Sequence, residues 1–206
     1  MIIIQVIADL LHLTAILFLI TKVYVHKNVI GISYKTQLLY LSVFLCRYMD
    51  LFTRDYSTFY LFFMKIFFIL LTSYTLYLIR CKKQFSETYE KKDDRHPIWT
   101  IYLTGIILTF FIHSGTSFTE LLWSYSIWIE AMTIIPQMNM KISHVSYRKV
   151  MKIYIFLLAL YKFLYLILWG YKIVYDYPVH YCAVAGGILQ LILYVDCVYK
   201  VRKPKK

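Results

Sequence analysis

The sequence predicts an all-α membrane protein with seven transmembrane helices, and three observations lead there. Sixty per cent of the 206 residues are apolar and the mean hydropathy is +0.59, a composition that would cover a water-soluble domain in adhesive patches. The apolar residues fall in runs near 2–21, 36–53, 57–79, 98–113, 119–140, 150–171 and 177–199, each close to the ~20 residues that a bilayer requires. The net charge of +12 sits in the stretches between those runs, which argues against an interleaved nucleic-acid stripe and reads as a topology signal.

Span one starts at the amino end with no basic region ahead of it and no small-residue cleavage site, so it is expected to serve as its own targeting signal. Span two carries Arg47 and Asp50, span three Lys65 and span six Lys162, and each is kept because its neighbours are strongly apolar. Of the 23 Lys and Arg residues, those three lie inside spans and Arg54 and Lys172 fall on one side; the other eighteen, from Lys22 to Lys206, fall on the opposite side. The positive-inside rule then predicts a cytoplasmic tail and a lumenal or external amino end.

The longest connection, Arg80 to Pro97, is polar and mixed in sign, and is expected to be a solvated linker. It separates a first three-helix bundle (1–79) from a linker and connector helix (80–117), a second three-helix bundle (118–199) and a basic tail (200–206). Cys46, Cys81, Cys182 and Cys197 show neither metal-ligand nor disulfide spacing and are read as packing residues. The abundant Tyr and Phe are expected in interfacial belts and on lipid-facing surfaces.

Polar residues three, four and seven apart share one side of a helix. Span one aligns Gln5, Asp9 and His12; span two Arg47, Asp50 and Arg54; span five Glu120, Trp123 and Glu130; span six Tyr161, Tyr165, Trp169 and Lys172. Facing lipid would be costly, so these stripes are expected to face one another or a wet cavity. Internal ion pairs that fix helix register are the competing account, and Asp196 with Lys162 or Lys172 fits either. For the larger set a binding cavity is favoured, because cations and acids on four or five helices exceed what register needs. Arg47 offers a planar fork for a carboxylate, Tyr48 a hydroxyl, and Lys172 a second anion site. Asp50 and Glu120 suit a cation, with Trp123 and Trp169 as aromatic walls for its stem. A short guest bearing both signs is implied, and the carboxyl end of a peptide is one candidate. His12, if it lies near Glu130 and Tyr161, can change charge near neutral pH.

Two signatures then identify a resemblance. Gly31-Ile32-Ser33, Lys35, Gln37-Leu38-Leu39 and Arg47-Tyr48-Met49-Asp50-Leu51-Phe52 resemble the GIS-K-QLL and RYLDLF blocks of the ER lumen protein-retaining receptors, the KDEL receptors. Trp123-Ser124-Tyr125-Ser126-Ile127-Trp128-Ile129-Glu130 with Ile135-Pro136-Gln137-Met138 is similar to their second signature, and Leu160 to Trp169 and Gln190 to Asp196 align with their last two spans. The resemblance implies two three-helix bundles similar to SWEET and PQ-loop proteins, and a receptor that binds a carboxy-terminal KDEL- or HDEL-like tetrapeptide in the acidic Golgi. It further implies return to the endoplasmic reticulum in COPI vesicles and release at neutral pH, with no cofactor and no nucleic acid as partner. Arg47 and Tyr48 would hold the terminal carboxylate, and Asp50, Glu120 and Trp123 the signal's first, basic residue. Tyr165 and Trp169 would line the pocket, His12, Glu130 and Tyr161 would form a proton-linked latch, and Lys203, Lys205 and Lys206 resemble the family's coat-binding tail.

Departures from the family pattern bear on the preferred signal. Gln5 and Lys172 stand where the family has Arg, Leu168 where it has Asn, His180 where it has Asp, and Lys162 where it has the Arg beside the latch Tyr. They predict an altered or more weakly held tetrapeptide. The competing function is a small-solute transporter of the PQ-loop or SWEET kind, for which Pro136-Gln137 would be a hinge; dense internal charge argues against a neutral sugar. An enzyme is not expected, because no metal-spaced His cluster or nucleophile with an adjacent base stands out.

Overall fold

The computed structural model describes residues 2–52, 59–140 and 145–202, the side chains of Asp50, Phe52, Val145, Ser146, Val201 and Arg202 excepted. Among these residues the chain forms α1 Ile2–His26, α2 Tyr34–Arg47, a turn of 3-10 helix Met49–Phe52, α3 Phe59–Arg80, α4 Lys83–Ser86 and α5 Ile98–Phe111. It continues with α6 Phe118–Met132, α7 Ile135–Asn139, α8 Val145–Val174 and α9 Tyr181–Arg202. Helices α1, α3, α8 and α9 are long and apolar enough to cross a membrane. The expected second and fifth spans depart from that form. α2 gives way to the 3-10 turn after Arg47. The expected run 119–140 is not one helix: α6 ends at Met132, and α7 restarts with Pro136 in its first turn, where a missing N–H costs no helical hydrogen bond.

Six helices close a ring in the order α1, α3, α2, α6, α9, α8 and back to α1, with α5 packed on α6. Exchanging α1, α2 and α3 for α6, α8 and α9 maps each of these six pairings onto another. Facing side chains such as Leu19, Val43, Phe44, Ile129 and Leu158 are buried and form the core. Two adjacent glycines bring α9 close to its neighbours: a Cβ on Gly186 would lie 2.5 Å from Ile127, and one on Gly187 2.7 Å from Trp169. Small residues permit such approach between helices that cannot rely on expelling water to associate. Outward faces carry Phe63, Phe110, Phe111 and Ile192 more than half exposed, a sheath for which hydrocarbon is the natural solvent. Cys182 and Cys197 are buried packing residues, whereas Cys46 is half-buried and Cys81 exposed; all four are free thiols.

The linker between α3 and α5 is docked rather than solvated, contrary to its composition. Asp94 is only 2% exposed. Its carboxylate accepts hydrogen bonds from Ser33 Oγ at 3.0 Å, Lys35 N at 3.2 Å and Tyr89 Oη at 2.7 Å. Ser33 is also the N-cap of α2, so the acid sits where the helix dipole favours negative charge. Burial, reinforced by the bond to Asp94, raises the Tyr89 phenol above its ordinary range and keeps it a donor. Gln137 completes the junction: it accepts from Ser33 N at 2.9 Å, donates to Gly31 O at 2.8 Å, and its backbone N–H reaches Thr36 Oγ1 at 3.1 Å. Gly31 holds a φ of 78° there, a conformation that a side chain would strain. The alternating charges of the linker gave no sign that one carboxylate would be captured by the start of a distant helix.

Removing the Asp94 charge strands one buried donor, Ser33 Oγ, and two partly buried ones, Lys35 N and Tyr89 Oη, so Asp94→Ala is expected to lower stability by about 1–3 kcal/mol. Asp93→Ala, at a half-buried neighbour, serves as the control. Thermal unfolding in detergent measures both, and equal losses would remove Asp94 as the anchor.

Candidate functional site

All six ring helices contribute to a cavity of about 360 Å³. α1 presents Gln5, Asp9 and His12; α2 and its end present Phe44, Arg47 and Tyr48; α3 presents Met64, Lys65 and Phe68. α6 adds Trp123, Ile127 and Glu130, and α8 adds Tyr161, Lys162, Tyr165, Leu168, Trp169 and Lys172. Ala183 of α9 and Pro178, Val179 and His180 of the α8–α9 connection complete the wall. Gln5, Asp9, Tyr48, Trp123, Trp169, Lys172 and His180 lie near the beginnings of α1, α6 and α9 and the ends of α2 and α8, and the cavity runs inward from that end of the bundle to His12, Glu130 and Tyr161. The Asp94 junction lies at the other.

A buried charge cluster forms the inner wall. Glu130, with 3% of its side chain exposed, meets Arg47 Nη2 at 2.6 Å and Lys162 Nζ at 3.1 Å. Tyr161 donates its hydroxyl to the same carboxylate at 2.5 Å, and Gln190 donates to Tyr161 Oη at 3.1 Å. Arg47 also donates through Nε to Ser126 Oγ at 3.1 Å. One carboxylate therefore carries two cations, and the cluster retains a surplus positive charge that a second anion would neutralise. The ammonium of Lys162 additionally lies within about 6 Å of the Tyr161, Tyr165 and Trp169 rings, close enough for attraction to their faces.

His12 stacks on Tyr161 with ring centroids 4.2 Å apart and planes 8° from parallel. Tyr40, Phe44 and Phe68 surround it at 5.0–5.9 Å. The imidazole thus lies against the phenol that donates to Glu130.

The remaining expectations divide. Gln5, Tyr48, Trp123, Tyr165, Trp169 and Lys172 all border the cavity. Glu120 does not border it. Its carboxylate caps α6, accepting from Ser117 N at 3.1 Å and Ser117 Oγ at 2.6 Å, while Ser117 Oγ accepts in turn from Glu120 N. The capping box was visible in the sequence as Ser117 three residues before Glu120. Asp196 pairs with Lys200 at 2.8 Å, one turn along its own helix, rather than with Lys162 or Lys172; Lys162 is held by Glu130 instead. The Asp50 side chain, Arg54, and Lys203, Lys205 and Lys206 lie outside the described residues.

Two cavity residues had no expected role. Lys65 extends over the Tyr48 ring, 5.6 Å from its centroid. Asp9 shares the span-one stripe but was given no task. It accepts from Tyr60 Oη at 3.1 Å and from Tyr165 Oη, so a helix-face pattern located it while its partners on α3 and α8 were invisible. His180 approaches Trp123, ring centroids 5.0 Å apart, a contact made across the α8–α9 connection that no local pattern reports.

Residues 28–172 match the family model for the ER lumen protein retaining receptor. The chain is 38% identical over 196 residues to an ER lumen protein-retaining receptor of Entamoeba histolytica, covering 93% of this chain and 89% of that one. It is 35% identical over 199 residues to the Saccharomyces cerevisiae receptor, covering 95% and 91%. It is 36% identical over 202 residues to the ER lumen protein-retaining receptor 2 of Bos taurus, covering 96% and 94%.

Glu130→Gln leaves Arg47 and Lys162 without their counter-charge, and is expected to destabilise the protein by about 3–5 kcal/mol. Tyr161→Phe, which removes one donor and leaves both ion pairs, should cost about 1–2 kcal/mol. The order of the two melting temperatures in detergent is the check, and a reversed order would contradict the ion-pair account.

Proposed function

This chain belongs to the ER lumen protein-retaining receptor family, and from that premise we propose that its cavity captures the free carboxyl terminus of escaped lumenal proteins. The charge of the cavity wall carries the reading. Among the described lining residues, Arg47, Lys65, Lys162 and Lys172 are basic against Asp9 and Glu130, so the cavity holds four cations to two acids. A bundle interior with surplus positive charge is stabilised by an incoming anion, and a retrieval tetrapeptide of the KDEL or HDEL kind supplies a terminal carboxylate with acidic side chains. Arg47 and Tyr48 take the terminal carboxylate, the guanidinium exchanging part of its contact with Glu130 for the ligand. Lys172 receives a second acidic group as a point charge, without the two-pronged geometry of an Arg. Gln5 offers a neutral contact, and Trp123, Tyr165 and Trp169 form the walls.

The same electrostatics supplies the pH response. Arg47, Lys162 and Glu130 leave one positive charge, the terminal carboxylate cancels it, and a further acidic side chain turns the sum negative. That last charge favours a proton on His12, against Tyr161 and near Glu130. Because the bound state takes up the proton, affinity rises as pH falls, matching capture in the acidic Golgi and release at neutral pH.

Seven spans in two three-helix bundles joined by α5, with residues 1–79 and 118–199 as the bundles, complete the proposal. The exchange symmetry of the six ring pairings supports it. So does the distribution of Lys and Arg, which puts the amino end in the lumen and the tail in the cytoplasm. Lys203, Lys205 and Lys206 then face the COPI coat for retrograde transport. The transporter reading is not favoured: Gln137, which would flank its hinge, is fastened to Gly31, Ser33 and Thr36.

A pulldown with one octapeptide as free acid and as amide, at mildly acidic and neutral pH, tests capture. The free acid should bind at least about tenfold better, more so at acidic pH, and His12→Ala should flatten that pH dependence. Equal retention of acid and amide would refute the terminal-carboxylate reading. For the tail, replacing the three lysines by alanine should leave binding intact and arrest the protein in the Golgi; unchanged cycling would remove the coat role.

A further inference from the structure

Behind the cavity wall the buried polar groups continue into the bundle in a chain that ligand capture does not use. Gln190 of α9, 1% exposed, donates from its amide nitrogen to Tyr161 Oη at 3.1 Å and to Tyr194 Oη at 2.6 Å. Tyr194 Oη in turn meets Tyr40 Oη of α2 at 2.8 Å. Neither Gln190 nor Tyr194 is among the described residues that line the cavity. A carboxamide buried this deeply is costly unless its donors are used, and both are.

The glycines of α9 bring the amide to this place. Gly186 and Gly187 allow close approach to Ile127 of α6 and Trp169 of α8, and Gln190 follows Gly186 by one turn on the same face. The Tyr161 oxygen is thereby held from two other helices: it donates to Glu130 of α6 and accepts from Gln190 of α9. An amide nitrogen only donates, so the phenol keeps its own proton directed at Glu130. The last torsion of a tyrosine is soft, and the plane of the ring is therefore set by such contacts. That plane is the one on which His12 lies flat, 4.2 Å away.

Around His12 the charged and titratable groups are Asp9 on its own helix, Tyr40 and Arg47 on α2, Lys65 on α3, Glu130 on α6, and Tyr161 and Lys162 on α8. Tyr194 of α9 stands beyond Gln190. Of the groups facing His12, Tyr161 is the one bonded to Gln190, so whatever Gln190 does to His12 passes through that phenol.

We propose that Gln190 is a positioning residue for the pH response: by donating to Tyr161 it holds the phenol as donor to Glu130 and as the flat face on which a protonated His12 rests. A cation stacked on an aromatic face is attracted to it, and a ring free to turn gives that attraction up. This assignment rests on the proton-linked reading of His12 and deepens it.

The test uses purified full-length receptor and the free-acid octapeptide, with affinity measured from mildly acidic to neutral pH. Wild-type affinity should rise about tenfold as pH falls, the equivalent of a one-unit shift in a single group. Gln190→Met, of similar volume but without the donor, should lower that ratio by at least about twofold, the equivalent of a hydrogen bond at the weak end of its net range. It should also move the profile to lower pH while still preferring the free acid to the amide. Tyr194→Phe removes the other partner of Gln190 and leaves the Tyr161 bond; it should melt earlier and keep the wild-type ratio. If Gln190→Met fails to fold, Gln190→Asn, whose amide falls one methylene short of Tyr161, should show the same loss of ratio. A wild-type profile in Gln190→Met, or in Gln190→Asn where that variant must be used, overturns the assignment. An equal loss in Tyr194→Phe overturns it too, because a merely structural network would respond alike to both changes. A flat profile in the wild-type protein, or an unaltered one in His12→Ala, overturns the proton-linked reading instead.

Discussion

A single carboxylate shared by two cations organises this molecule. Glu130 draws Arg47 from α2 and Lys162 from α8 into the interior, where neither could remain alone. Desolvating three charges offsets much of their mutual attraction, so the cluster contributes less to stability than to arrangement. It determines which helix faces turn inward, and it leaves the wall short of one negative charge. Phe44, Tyr161 and Trp169 pack around the cavity with those charges at fixed heights.

The aromatic residues near the cluster fall into two groups. His12 stacks on Tyr161 and meets Phe44 at a tilt in the interior, one phenol away from Glu130. Tyr165, Trp169 and Trp123 stand nearer the open end, where they border the space a guest would occupy. The division follows the axis of α8: Tyr161 and Tyr165 meet different surroundings because the helix rises about 5.4 Å between them.

Much of this was legible in the residues. Helical spacing sorted Gln5, Asp9 and His12 onto one face, and Tyr161, Tyr165 and Trp169 onto another, and both faces do line the cavity. Periodicity failed for Asp196, where a local bond outcompeted the long-range one: it meets Lys200, one turn along its own helix, and that partner was in plain view. The burial of Asp94 was less accessible, since the donors come from Ser33, Lys35 and Tyr89 and no pattern within the linker anticipates them.

The Gln137 and Asp94 contacts also have a mechanical consequence. They join the start of α2, the linker and α7 by six short bonds at the end of the bundle remote from the cavity. Local opening is least favourable where such bonds are concentrated, so the cavity end of the bundle is the less constrained of the two. Under the proposed capture function, a guest that enters by the mouth leaves by the mouth.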